Sequence, residues 1–118
     1  MTPTTDPRRF LPLSALDFQV LTLLAGRELH GYAIVNASAT LLPDQPALDI
    51  GSLYRIVARM LDDKLIREVK APPDTPSDRR VRRYYTATAL GLAVARAEAN
   101  RLRALLRSAP ALRLTETE

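Results

Sequence analysis

The densest cluster of side chains that could do chemistry is cationic. Arg79, Arg80, Arg82 and Arg83 fall within five residues, interrupted only by Val81. Upstream, Gly51-Ser-Leu-Tyr-Arg-Ile-Val-Ala-Arg-Met-Leu-Asp62 places Leu53, Ile56, Val57, Met60 and Leu61 in one helical stripe. Ser52, Tyr54, Arg55, Ala58 and Arg59 fall on the other side. Guanidinium groups bind phosphates in a fork and read guanine edges in the major groove. The small Ala58 permits close approach, and Gly51-Ser52 reads as an open helix start suited to a phosphate. Strand alternation would put Arg80 and Arg82 on one face and Arg79 and Arg83 on the other. Such a segment could follow a phosphate backbone or enter the minor groove. A solvated helix face and a solubilising edge strand are the plainer alternatives. Four arginines in five residues beside such a helix favour a nucleic-acid partner over them. Residues 51–88 hold Arg55, Arg59, Lys64, Arg67, Lys70, Arg79, Arg80, Arg82 and Arg83 against Asp62, Asp63, Glu68, Asp74 and Asp78, an excess equal to the whole net charge of +4. A polyanionic partner, double-stranded DNA, is expected.

Other chemistry is poorly provided for. His30 is the single histidine and there is no cysteine, so neither a metal site nor a Ser-His-Asp triad is expected. No glycine-rich phosphate loop occurs. The expectation is a non-enzyme without cofactors, with His30 a hydrogen-bonding residue at a helix start. The absence of cysteine suits the reducing cytosol, with association to the nucleoid when DNA is bound. No apolar run approaches the roughly 20 residues of a membrane span, and no secretory leader is evident.

These side chains need elements to hold them. Residues 1–12, with Pro3, Pro7 and Pro12, read as a flexible arm. Leu13 to Ala25 reads as a first helix with Ser14 as cap and Gly26 as stop. His30 to Leu42 reads as a second, ended by Pro43 and Pro46, and residues 52–62 as a third. Residues 65–69 and 82–86 read as short strands joined by the proline-rich loop 71–78. Thr88 caps a final helix reaching about Ala109, and residues 110–118 read as a frayed tail. A helical bundle with an irregular insert would leave the two strands unexplained. The fold class is therefore mainly α with a two-stranded wing: a winged helix-turn-helix over 13–87 plus a long C-terminal dimerisation helix over 88–109.

In that last helix Leu92, Ala95, Ala99, Leu102, Leu106 and Ala109 form a heptad seam. Leu90, Val94, Ala97 and Leu105 form a second set that can pack on the chain's own domain. A chain of 118 residues buries only about two-thirds of its unfolded surface and gains from a large interface. A homodimer is expected, with two recognition helices about one DNA turn, ~34 Å, apart on an inverted repeat.

His30-Gly31-Tyr32, Gly51-Ser52-Leu53-Tyr54, Leu65-Ile66, Arg83-Tyr84-Tyr85, Thr88 and Gly91, in that order and near that spacing, resemble the PadR family of bacterial transcription regulators. The resemblance runs from about Leu21 to Gly91. It implies a winged helix-turn-helix repressor, dimeric through its last helix, with Tyr32 and Tyr54 at the DNA. Glu28 stands where many relatives have proline, and Arg55 where many have proline or lysine, a change that bears on which bases are read. With a single C-terminal helix the chain looks like the short branch of the family. Some relatives hold planar aromatic effectors in the dimer groove. Without tryptophan, an effector here would contact Phe18, tyrosine or aliphatic side chains. The alternative function is a winged-helix module that binds a partner protein through its C-terminal helix. Salt separates the two, because phosphate contacts weaken steeply as salt rises.

Overall fold

A computed structural model describes residues 5–46 and 48–115. Its elements are a 3-10 turn (Pro7–Phe10), α1 (Ala15–Leu24), β1 (Leu29–His30), α2 (Gly31–Leu41), α3 (Ile50–Asp62), β2 (Ile66–Val69), β3 (Tyr84–Ala87), α4 (Ala89–Arg107) and α5 (Ala109–Thr115). The fold is mainly helical, with a small antiparallel sheet in the order β1-β3-β2. It is a winged helix-turn-helix carrying a long C-terminal helix.

The local rules of the sequence account for most boundaries. Ser14, Asp49 and Thr88 cap α1, α3 and α4 through side-chain oxygens. Gly26 ends the first helical segment at φ +71°, a left-handed conformation that favours glycine. The stripe of α3 buries Leu53, Ile56, Val57 and Met60 against Val20, Leu21 and Leu24 of α1, Ile34 of α2, Leu65, Ile66 and Val94 of α4. Roughly 1.5–3 kcal/mol per buried aliphatic side chain makes this one core the main source of stability.

Four expectations are corrected. The wing has a third strand: β1 pairs with β3 through Leu29–Tyr85 and His30–Tyr84. Two residues are too few to show an alternation, so no periodicity marks it. The arm is not loose where it is described. Asp6 caps the Pro7–Phe10 turn, and Phe10 and Leu11 pack on the core; residues 1–4 lie outside the described residues. Tail residues up to Thr115 are helical. Ser108 turns extended and its Oγ accepts from the Ala111 N–H at 3.3 Å, and Pro110 sits in a first turn that needs no N–H. Residues 116–118 lie outside the described residues. Finally, Ala109 opens α5 rather than continuing the heptad seam, and Ala95 packs against the chain's own core. Of the second set, Leu90 and Val94 face inward as expected, but Leu105 is exposed and Glu98 is buried instead.

Candidate nucleic-acid interface

The nine residues singled out above divide among three neighbouring surfaces. Tyr32 from α2, Tyr54 from α3, and Arg82 and Arg83 at the root of the wing line one cavity of about 130 Å3, together with His30, Gly31 and Tyr85. Ser52, Arg55 and Arg59 line a cleft between α3 and α1, shared with Ser14, Leu16 and Asp17. Arg80 joins Arg82 and Arg83 along a groove beside Glu68 and Lys70. Arg79 stands on the exposed wing and gives its carbonyl to the Tyr84 hydroxyl at 3.1 Å.

The wing arginines do not alternate along a strand. β3 begins only at Tyr84, and the segment before it winds through successive turns. Arg79 N–H donates to Pro76 O at 2.9 Å and Arg82 N–H to Arg79 O at 3.2 Å. Arg80 Nε donates to Thr75 O at 3.1 Å, which ties one guanidinium to the loop. Proline cannot give a ladder N–H, so three prolines between the strands favour turns over a longer hairpin.

The start of α3 is not an open phosphate site. Helix α3 begins two residues earlier than expected, and Asp49 caps it: Ser52 N–H and Ser52 Oγ both donate to the Asp49 carboxylate at 2.8 Å. Those bonds, the Ser52 backbone N–H foremost, hold the Asp49 carboxyl below the usual carboxylate range. A fixed negative charge at this end repels phosphate, so anion contacts must come from side chains. Arg55 reaches back to the Ser52 hydroxyl at 3.1 Å.

Arg59 is half-exposed and ion-paired with Asp17, which is mostly buried on α1. Sequence reading missed this pair, because 42 residues separate its members and no periodicity links them. His30 was expected to hydrogen-bond at the start of α2, and its Nδ1 accepts from the Ala33 N–H at 3.2 Å. Its position against the wing was not expected. The ring meets Tyr84 edge-on with centroids 5.3 Å apart, and Nε2 lies 3.3 Å from Arg82 Nη1. Burial first, then the Arg82 and Arg79 cations, push the imidazole below its usual range. Arg82 lies over the Tyr32 ring, 5.7 Å from the centroid. Burial and then the Glu68 carboxylate push the Tyr85 phenol up, so it remains a neutral hydroxyl. Together these groups make a donor-rich, cationic surface shared by α2, α3 and the wing.

A second feature lies away from this surface. Glu98 is buried on α4 and receives both Nε and Nη2 of Arg101, at 2.7 and 2.9 Å. Arg101 holds its carboxyl below the usual range. The pair borders a cleft of about 250 Å3 lined by Leu13, Phe18, Leu42 and Leu102. Among the described residues no helix is long and apolar enough to cross a membrane.

The profile of the transcriptional regulator PadR-like family matches residues 20–97. A PadR-like transcriptional regulator from Bacillus cereus is 24% identical, with a TM-score of 0.68 over 87% of this chain and 93% of that one. A PadR family regulator from Eggerthella lenta is 25% identical, with a TM-score of 0.63 over 95% and 87%. Bacillus subtilis PadR, solved in complex with operator DNA, is 21% identical with a TM-score of 0.59 over 77% of this chain and 47% of that one. No curated protein matches. The chain belongs to the PadR-like family of transcriptional regulators, which are not enzymes.

Proposed function

We propose that this PadR-like regulator binds operator DNA as a homodimer, represses transcription from an inverted repeat, and is released by a small-molecule effector. The observation that carries the reading is the convergence of Tyr32, Tyr54, Arg82 and Arg83 from three elements on one cavity. No carboxylate lines it. Helix α3 presents Tyr54, Arg55 and Arg59 to the major groove, and the wing lays Arg79, Arg80, Arg82 and Arg83 along the backbone. The operator complex of Bacillus subtilis PadR, which shares this fold, supports the choice of duplex DNA over a protein partner.

The dimer uses the outer face of the C-terminal segment. Ala99 and Leu106 of the heptad seam are exposed, and Leu92 and Leu102 are half-buried. Leu105, Leu112 and Leu114 widen the same exposed apolar region along α4 and α5. Leucines in that number on one helical segment of a small chain are expensive to leave in water. The effector occupies the cleft beside Phe18, where aliphatic walls meet the Glu98–Arg101 pair.

Gel-shift titration against fragments selected from random DNA tests the core of this reading. Tyr54→Ala and Arg59→Ala should each weaken operator binding by roughly 5- to 100-fold while sedimentation still finds a folded dimer. Normal binding by both variants would remove α3 as the reader.

A further inference from the structure

The hydrogen bonds of His30 cannot all be satisfied by the chain alone. Nδ1 accepts from the Ala33 N–H, and Nε2 lies 3.3 Å from Arg82 Nη1. Arginine only donates, and a neutral imidazole has a single lone-pair nitrogen. One contact is therefore between two donors. The α2 cap keeps the lone pair, because the Ala33 N–H is fixed by the backbone whereas the Arg82 side chain is exposed and can turn. Nε2 then carries the proton, and two N–H groups face each other, a contact that one acceptor shared by both would relieve.

Their surroundings supply more donors. Gly31 lets the Tyr54 hydroxyl lie against the start of α2: a Cβ there would sit 3.1 Å from Tyr54 Oη. Tyr32 holds the Arg82 guanidinium from its ring face. The cavity these groups share has room for a tetrahedral anion and is lined by no carboxylate.

We propose that His30 Nε2–H, the Arg82 guanidinium and the Tyr54 hydroxyl form a seat for a single phosphate group of the DNA backbone. The proposal rests on the DNA-binding reading and gives His30 a role that charge alone did not suggest. A phosphate oxygen bridging Nε2–H and Arg82 turns a donor–donor contact into two charge-assisted bonds. The seat joins α2 to the wing root and so fixes the register of α3 on the duplex.

Two variants and one spectrum test it. His30→Asn keeps a capping oxygen for the Ala33 N–H but has no donor in the place of Nε2. It should weaken duplex binding roughly tenfold with the salt slope unchanged, since no charge is lost. Arg82→Ala should weaken binding and flatten the slope by about one. In the double variant the losses should fall short of their product, because both groups serve one phosphate. The single histidine makes the ring nitrogens readable by 15N NMR in the wild-type protein, whatever the variants do to folding. Adding duplex should move Nε2 while it stays protonated. Wild-type affinity in His30→Asn, multiplicative losses, or an unmoved ring would overturn the seat and leave DNA binding standing. A ring that answers inorganic phosphate but not duplex would overturn the DNA backbone as its ligand. No wild-type binding to any duplex in dilute buffer would remove the DNA reading itself; the seat would then stand only if inorganic phosphate moved the ring.

Discussion

Gly91→Ala is a severe test of how α4 joins the DNA-binding domain. Alanine in a helix is ordinarily better than glycine by about 1 kcal/mol. Here the added Cβ would lie 2.0 Å from Leu65 O, 3.0 Å from Leu65 C and 3.3 Å from Leu21 Cδ2. An ordinary carbon–oxygen contact is about 3.3 Å or more, so the helix would have to retreat by roughly 1 Å. Leu65 O cannot simply swing aside, because it accepts the Thr88 N–H at 3.0 Å, and Thr88 Oγ1 donates to Lys64 O at 2.6 Å. Retreat therefore strains the bonds that fasten α4 at its start and loosens Val94, which is fully buried. Overpacking costs about 1–3 kcal/mol and often more against backbone, and a weakened hydrogen bond about 1 kcal/mol. After the propensity gain the net loss should be about 1–3 kcal/mol, or a fall in melting midpoint of roughly 5–15 °C for a domain of this size. Circular dichroism melts of both proteins at one concentration would measure it, since a dimer's midpoint depends on concentration. A midpoint equal to or above wild type would show that α4 does not approach Leu65 this closely.

Gly31→Ala should behave in the opposite way. Its Cβ would press only on the end of the Tyr54 side chain, at 3.1 Å, so stability should hold while duplex affinity falls a few-fold; unchanged affinity would detach the placement of Tyr54 from binding. Asp17→Asn releases Arg59 from its ion pair, and because Arg59 is half-exposed the cost in stability should stay below about 1 kcal/mol. Duplex binding should tighten at every sequence and its salt slope steepen by up to about one, whereas an unaltered slope would mean that Arg59 does not reach a phosphate. The His30 imidazole is held below its usual 6.5, so the unfolded chain binds that proton more readily. Stability from this group is complete above about pH 6.5 and is lost as pH falls through the lower folded value. Urea midpoints should therefore decline from pH 7.5 to 5.5 in wild type and stay flatter in His30→Asn. Parallel declines would assign the titration elsewhere.

Periodicity within one element was readable from the sequence. The stripe of α3 is buried as its spacing requires, and Ser14, Gly26 and Thr88 stop or start helices where their chemistry places them. Asp49 was readable too, since a carboxylate three residues before Ser52 is an ordinary cap, yet the glycine at 51 drew the helix start too late. The two-residue β1 and the turns through Arg79–Arg82 were not readable. A strand that short has no period, and although the prolines signal a turn region, the backbone bonds that carry the turns on through Arg82 leave no pattern in the arginines themselves. Glu98 shows a different limit. Its charge argues for solvent, but Arg101 one turn on neutralises it with two bonds, and the buried position becomes tolerable.

Counting arginines locates a charged region but does not say which of those charges are free to meet a partner. Among the described residues the ion pairs engage Arg8, Arg59 and Arg101, and none of the wing arginines. Arg59 was expected, with Tyr54 and Arg55, to face the DNA from α3, but its charge is already answered by Asp17 within the chain. Arg82 lies beside the neutral His30 imidazole and over the Tyr32 ring, neither of which neutralises it. Of the arginines on α3 and the wing, Arg55, Arg79, Arg80, Arg82 and Arg83 are in no ion pair, so most of the unanswered charge of this surface sits on the wing and its root. In a phosphate-binding protein that is where counterions are released and where affinity without sequence preference arises. Helix α3 presents a tied arginine, a half-exposed tyrosine, a capped N-terminus and, in Arg55, one arginine without an ion pair, so it adds less attraction than the wing. On the proposed DNA-binding reading, the wing supplies attraction and α3 supplies discrimination. His30, paired in register with Tyr84 across β1 and β3, is where the proposed phosphate seat would couple one to the other.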